Sequence, residues 1–268
     1  MSAKNLSKLT RRNLLLAAPA VIVTSGLTPL GAAQAAAFGP RNFQDTDPVN
    51  FKGLKPHKFQ IHGTDAARFQ TEANWRTAKK NGVNFAWLKA TEGGDLEDPM
   101  FRTHFRGARR AKVPVGAYHF YYFCTSPEKQ AAWYIKNVRK KEGMLPPVLD
   151  MEWNPFSPTC TKRPSGRTVR NLARRFSNII TEHYGQRPVI YTTPGFYKDT
   201  GIGKFTDHEF WLRTTAKTPR QAYPGQNWRF WQYSSTGKIP GFNEEMDLNL
   251  FNGSATDWAT WLARRSLT

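Results

Sequence analysis

Acidic residues are scarce in this chain: Asp and Glu number 20 against 39 Lys and Arg, a formal net charge of +19 over 268 residues. The imbalance disfavours cationic partners and points to anionic ones, whether nucleic acid, membrane surface or a polyanionic wall. Cysteine is scarcer still. Two residues are too few for a disulfide-built scaffold, and no Cys/His cluster has the spacing of zinc ligands. No metal and no cofactor are expected. The histidines are scattered and read as structural. Gly-rich phosphate fingerprints after a strand are missing as well, which disfavours a nucleotide-binding open sheet. Unbroken apolar runs of membrane-spanning length are also lacking: the stretch from Leu14 to Leu30 is interrupted by Pro19, Gly26 and Pro29.

That same stretch has another use. Lys4, Lys8, Arg11 and Arg12 precede it without a single acid, and Ala33-Gln34-Ala35 offers small residues for cleavage. Thr10-Arg11-Arg12-Asn13-Leu14-Leu15 resembles the twin-arginine export signal of bacteria. Residues 1–35 are therefore expected to be a removable leader, and the mature protein to act in the periplasm or beyond. Residues 36–58, polar and rich in Pro, Gly and Lys, read as a linker or an arm lying over the domain.

From 59 to 268 the chain alternates as one domain. Strand-like runs at 59–62, 85–91, 115–120, 145–152 and 188–193 are separated by helical patterns at 72–81, 99–112, 127–142 and 165–184. The last is the best defined, with Val169, Leu172, Ala173, Phe176, Ile179, Ile180 and Tyr184 on one face and Gly185 at its end. After it the helical signal fades, and 210–212, 229–233 and 246–250 read as short strands. Five strand–helix units followed by about three mostly β strands imply an α/β fold, an irregular (β/α) barrel.

The strand Leu145–Glu152 carries the chemistry. It ends in Asp150 and Glu152, which at i and i+2 face one side with Cβ atoms roughly 6–7 Å apart. Asp65, Glu92 and Asp247 fall at or after other strands. In a barrel the carboxyl ends of the strands share one mouth, so acids distant in sequence converge there. Aromatic residues are expected at the same end: Tyr118, Trp153, Tyr191, Trp211 and Trp231, with Lys89 and Gln232 beside them. Flat rings beside carboxylates suit a sugar, whose C–H face stacks while its hydroxyls bond to acids and amides. Cleavage of a glycoside needs one carboxylic acid to protonate the leaving oxygen and a second to support the cationic carbon. Glu152 is the better donor, with Asp150 charged beside it and raising its proton affinity. Cys124 and Cys160 follow adjacent strands at the mouth, and export would let them form a disulfide.

Several segments together resemble the family 25 glycoside hydrolases, lysozymes (N-acetylmuramidases) that cut peptidoglycan. They are Gly63-Thr64-Asp65, Phe85 through Gly93, Asp98-Pro99-Met100-Phe101, Gly116 through Phe120, Leu145 through Glu152, Pro188 through Thr192, Phe230-Trp231-Gln232-Tyr233 and Asp247-Leu248-Asn249. The resemblance implies an irregular barrel, Glu152 as the acid, and Asp65, Asp150 and Asp247 in support. Peptidoglycan is the implied partner of a single domain expected to act as a monomer, with no specific nucleic acid. Ala66-Ala67-Arg68 departs from the small residue and Ser that usually follow the first Asp. A chitinase-like glycosidase would also end a strand in D-x-E, but with a longer acidic series where Pro146-Pro147-Val148-Leu149 stands. A non-catalytic binder of wall polymer, held by charge, is the other alternative.

Overall fold

The computed structural model describes residues 42–268, so residues 1–35, expected to form a leader, lie outside the described residues. Its strands are β1 (Gln44–Asp45), β2 (His62–Ala66), β3 (Val83–Glu92), β4 (Leu96–Glu97), β5 (Val115–Phe120), β6 (Val148–Met151), β7 (Val189–Thr192), β8 (Phe210–Arg213), β9 (Phe230–Lys238) and β10 (Met246–Phe251). The helices are α1 (Trp75–Lys80), α2 (Phe101–Arg110), α3 (Pro127–Asn137), α4 (Gly166–Tyr184), α5 (Pro194–Thr200), α6 (Pro219–Ala222) and α7 (Ala255–Arg265). Strands β2, β3, β5, β6, β7, β8, β9 and β10 pair in that order, and β10 pairs back onto β2, closing a barrel. All neighbours are parallel except β10, which runs antiparallel to both β9 and β2.

Alternation along each strand makes two cores. On β3, Phe85 and Trp87 turn into the barrel, whereas Ala86 and Leu88 turn outward beneath the helices. The barrel interior is aromatic: Trp87 stacks on Trp211 at 5.1 Å, and Phe230 meets Trp87 edge-on at 4.6 Å. Gly116 on β5 makes room for this, since a Cβ there would stand 2.6 Å from Trp87 Nε1.

Two features differ from the sequence expectation. The first barrel strand begins at His62, where the strand-like run ends, so Asp65 lies within the strand and not after it. Helices return near the C-terminus: α7, capped by Ser254 and Asp257, places Trp258 and Trp261 against Phe230 and Phe251. It stops the barrel at the end opposite the carboxylates. The polar stretch before the domain contributes a short strand, β1, antiparallel to β9, and Phe51, which packs on Trp231 at 4.8 Å.

Candidate active site

Asp150 sits on β6 in register with Phe120 on one side and Tyr191 on the other. Glu152 stands one residue beyond the strand, half-buried at the mouth. Asp65 and Asp247 are cross-strand partners on β2 and β10. Because β10 runs against the others, Asp247 reaches the mouth from the amino end of its strand, not from the carboxyl end expected from a uniform barrel. All four acids line one cavity of 230 Å³, together with Lys89, Tyr118, Tyr191, Trp211 and Gln232. A larger hollow of 520 Å³ lies between α1, α2 and the turn before β10; Glu72 is its sole acid, so it offers no carboxylate pair.

A chain of polar side chains holds the floor. Trp211 Nε1 donates to Asn249 Oδ1 at 2.8 Å, and Asn249 Nδ2 donates to Asp65 Oδ1 at 2.7 Å. Asp65 and Asp247 then bond to one another, Gln232 bonds to Asp247, and Tyr191 Oη donates to Gln232 Oε1 at 2.7 Å. Asn249 thus gives Asp65 a donor although Ala66-Ala67-Arg68 departs from the usual small residue and Ser. Its signal was in the sequence: it stands two residues after Asp247, on the same face of the strand.

Burial dominates the electrostatics. It raises Asp65 well above the usual carboxylate range, with the neighbouring Asp247 adding to the effect. Asp247 is raised by burial too, although Gln232 and Asp65 bonding to it act the other way. Glu152 is pushed up to about 7, again by burial, with Arg213 and Lys89 opposing. Asp150 is raised well above its ordinary value by burial and then by the charge of Glu152. Its Oδ1 is buried without a hydrogen-bond partner, a poor place for a fixed negative charge. These surroundings run against Asp150 as the permanently charged member of the pair.

The remaining residues divide. Lys89 lines the cavity, and its Nζ lies 2.5 Å from Glu92 Oε2. Glu92 stands behind it, outside the wall; burial alone would raise this carboxyl, but bonds from Lys89 and Tyr122 hold it below its usual value. Trp231 is fully buried on the outer face of β9, donating to Thr214 O at 2.8 Å. Trp153 turns away from the acid cavity, packs on Phe196 at 4.6 Å and donates to Asp199. Sequence reasoning placed all three at the mouth because they follow strands there, but period-two alternation sends Trp231 to the other side. It also passed over Phe69, 66% exposed at the cavity wall, and Arg213 at the end of β8. Cys124 and Cys160 form a disulfide, with Cα atoms 5.8 Å apart, that ties down the loop after Glu152.

The sequence profile described as glycosyl hydrolases family 25 matches residues 64–242. YegX of Escherichia coli (strain K12), an uncharacterized protein, is 31% identical over 258 residues, 88% of this chain and 92% of that one. Lysozyme M1 of Streptomyces globisporus is 34% identical over 209 residues, covering 73% of this chain and 69% of its own. The solved family 25 glycosyl hydrolase from Bacillus anthracis matches with a TM-score of 0.72 at 29% identity, covering 81% of this chain and 98% of that one.

Proposed function

Since the chain belongs to family 25 of the glycosyl hydrolases, and is a peptidoglycan hydrolase of the lysozyme kind, we propose that it cleaves the β-1,4 bond between N-acetylmuramic acid and N-acetylglucosamine, with Glu152 as the general acid. One observation carries the assignment. Glu152 is the carboxyl at the cavity mouth whose proton affinity is set near neutrality, at about 7, by burial. A donor must hold its proton at working pH and still release it readily in the transition state, which a value near 7 satisfies.

Asp150 supports the reaction from below. Its carboxyl, raised above its ordinary value by burial, is the second carboxyl the cleavage needs, facing the positive charge that develops at the sugar carbon, with Oδ1 free of other hydrogen-bond partners. Asp65 and Asp247, locked into the floor by Asn249 and Gln232, orient substrate or water. Action outside the cytoplasm is supported by the arginine-pair leader in the sequence and by the Cys124–Cys160 bond.

Mass analysis of the ends released from purified peptidoglycan tests the reading. New reducing N-acetylmuramic acid ends are expected. Free peptides, or reducing N-acetylglucosamine ends, would refute it.

A further inference from the structure

Arg213 is the last residue of β8, and the strand's alternation places it. Trp211 turns inward, where its Nε1 bonds to Asn249, and Leu212 turns outward into the layer beneath the helices. Arg213 therefore follows Trp211 to the inner side, at the mouth. It is in register with Gln232, a wall residue of the acid cavity. Its carbonyl accepts a hydrogen bond from Tyr223 Oη at 2.5 Å, so the side chain springs from a fixed backbone.

No carboxylate among the described residues pairs with Arg213; the ion pairs of other arginines lie elsewhere. Lys89, the cation that lines the cavity, is already taken by Glu92. An open cation beside a proton donor works against it, drawing Glu152 downward where burial draws it up. Such a placement is explained if the substrate supplies the missing anion. The two sugars of the glycan differ in just this respect: N-acetylmuramic acid bears a lactyl ether ending in a carboxylate, or in a peptide that itself carries carboxylates, whereas N-acetylglucosamine is neutral. A guanidinium is the side chain whose planar fork matches a carboxylate in two hydrogen bonds.

We propose that Arg213 is a substrate-positioning residue whose guanidinium takes a carboxylate borne on the muramyl side of the glycan, thereby setting which sugar lies on which side of the cut. The proposal rests on the bond specificity assigned above.

The test compares wild type with Arg213→Gln and Arg213→Lys on three defined glycans: one with free lactyl carboxylates, one with these converted to methyl amides, and one with intact stem peptides. Arg213→Gln is expected to raise KM about tenfold or more on a carboxylate-bearing glycan, the usual scale for losing a charge-assisted hydrogen bond. Measured at pH 5, below the Glu152 limb that Arg213 itself lowers, its kcat there, and both constants on the amidated glycan, should stay close to wild type, and Arg213→Lys should recover part of the loss. A KM effect confined to the free-acid glycan identifies the lactyl carboxylate; one confined to the peptide-bearing glycan identifies the peptide. Equal losses on charged and amidated glycans, or a loss in kcat alone, overturn the proposal and leave Arg213 a structural residue. Wild-type enzyme that releases no reducing muramic acid ends from any glycan removes the underlying bond assignment instead.

Discussion

At the scale of single residues, Glu152 is asked to do two opposed things. Its burial makes it a donor near neutrality and makes the folded chain less stable once it ionises. Glu152→Gln keeps the shape but removes the acidic proton, so kcat should fall by at least about 10²-fold. In wild type, kcat/KM should decline as pH rises through about 7, where Glu152 loses its proton. Stability moves with the same group. Between the ordinary 4.5 and about 7 the folded chain holds a proton that the unfolded chain releases, so stability falls as pH rises through that window. Glu152→Gln should therefore be more stable than wild type above neutrality, by about 1–3 kcal/mol given its partial exposure, and no different below 4.5. Thermal melts at pH 4 and pH 8 separate the two; equal shifts at both would contradict the role of burial. Asp150→Asn should cut kcat as well. Because burial, not Asp150, raises Glu152, the basic limb should remain near 7; a limb displaced to lower pH would show Asp150 ionised in the resting enzyme.

At the scale of elements, most of the strands were legible and the direction of the last was not. The D-x-E run, the 165–184 helix and the positions of Asp65, Tyr118, Tyr191 and Gln232 follow from apolar periodicity and strand alternation. Nothing in the short run 246–250 reveals that it is antiparallel, since the same residues pair equally well either way; the connection over residues 239–245, too short for a crossover, decides it. Helix α7 escaped because Trp258 and Trp261 are spaced like a surface helix, and the apolar partner that justifies them is the barrel's far end. Trp231 was misplaced because its partner, Phe51, comes from the arm. Packing inside the barrel is tight enough to test. A Cβ on Gly116 would press on Trp87 and on Leu145 Cβ at 2.9 Å, and Trp87 Nε1 also donates to Pro146 O at the start of β6. Gly116→Ala should cost about 1–3 kcal/mol in urea unfolding, and activity should fall with it, because β6 carries Asp150.

At the scale of the whole molecule, the Cys124–Cys160 bond spans 36 residues that include β6. In the chain-entropy model such a closure contributes about 3–4 kcal/mol. Reduction, or a Cys124→Ala/Cys160→Ala double variant, should lower the melting temperature accordingly, and the loop after Glu152 should become the first site of proteolysis. Equal melting temperatures for oxidised and reduced protein would show that the bond adds nothing.

The pairing of β10 with β2 joins residues such as Asp247 and Asp65, near opposite ends of the domain. Synthesis runs from one end, so the ring stays open until β10 has left the ribosome. Until then β2 offers an unpaired edge, and the two carboxyls that share the floor are still in separate pieces of an unfinished sheet. Such long-range closure makes for slow folding. The floor of the active site is thus the last part of the barrel to be assembled, and its two carboxyls meet only when β10 has paired with β2.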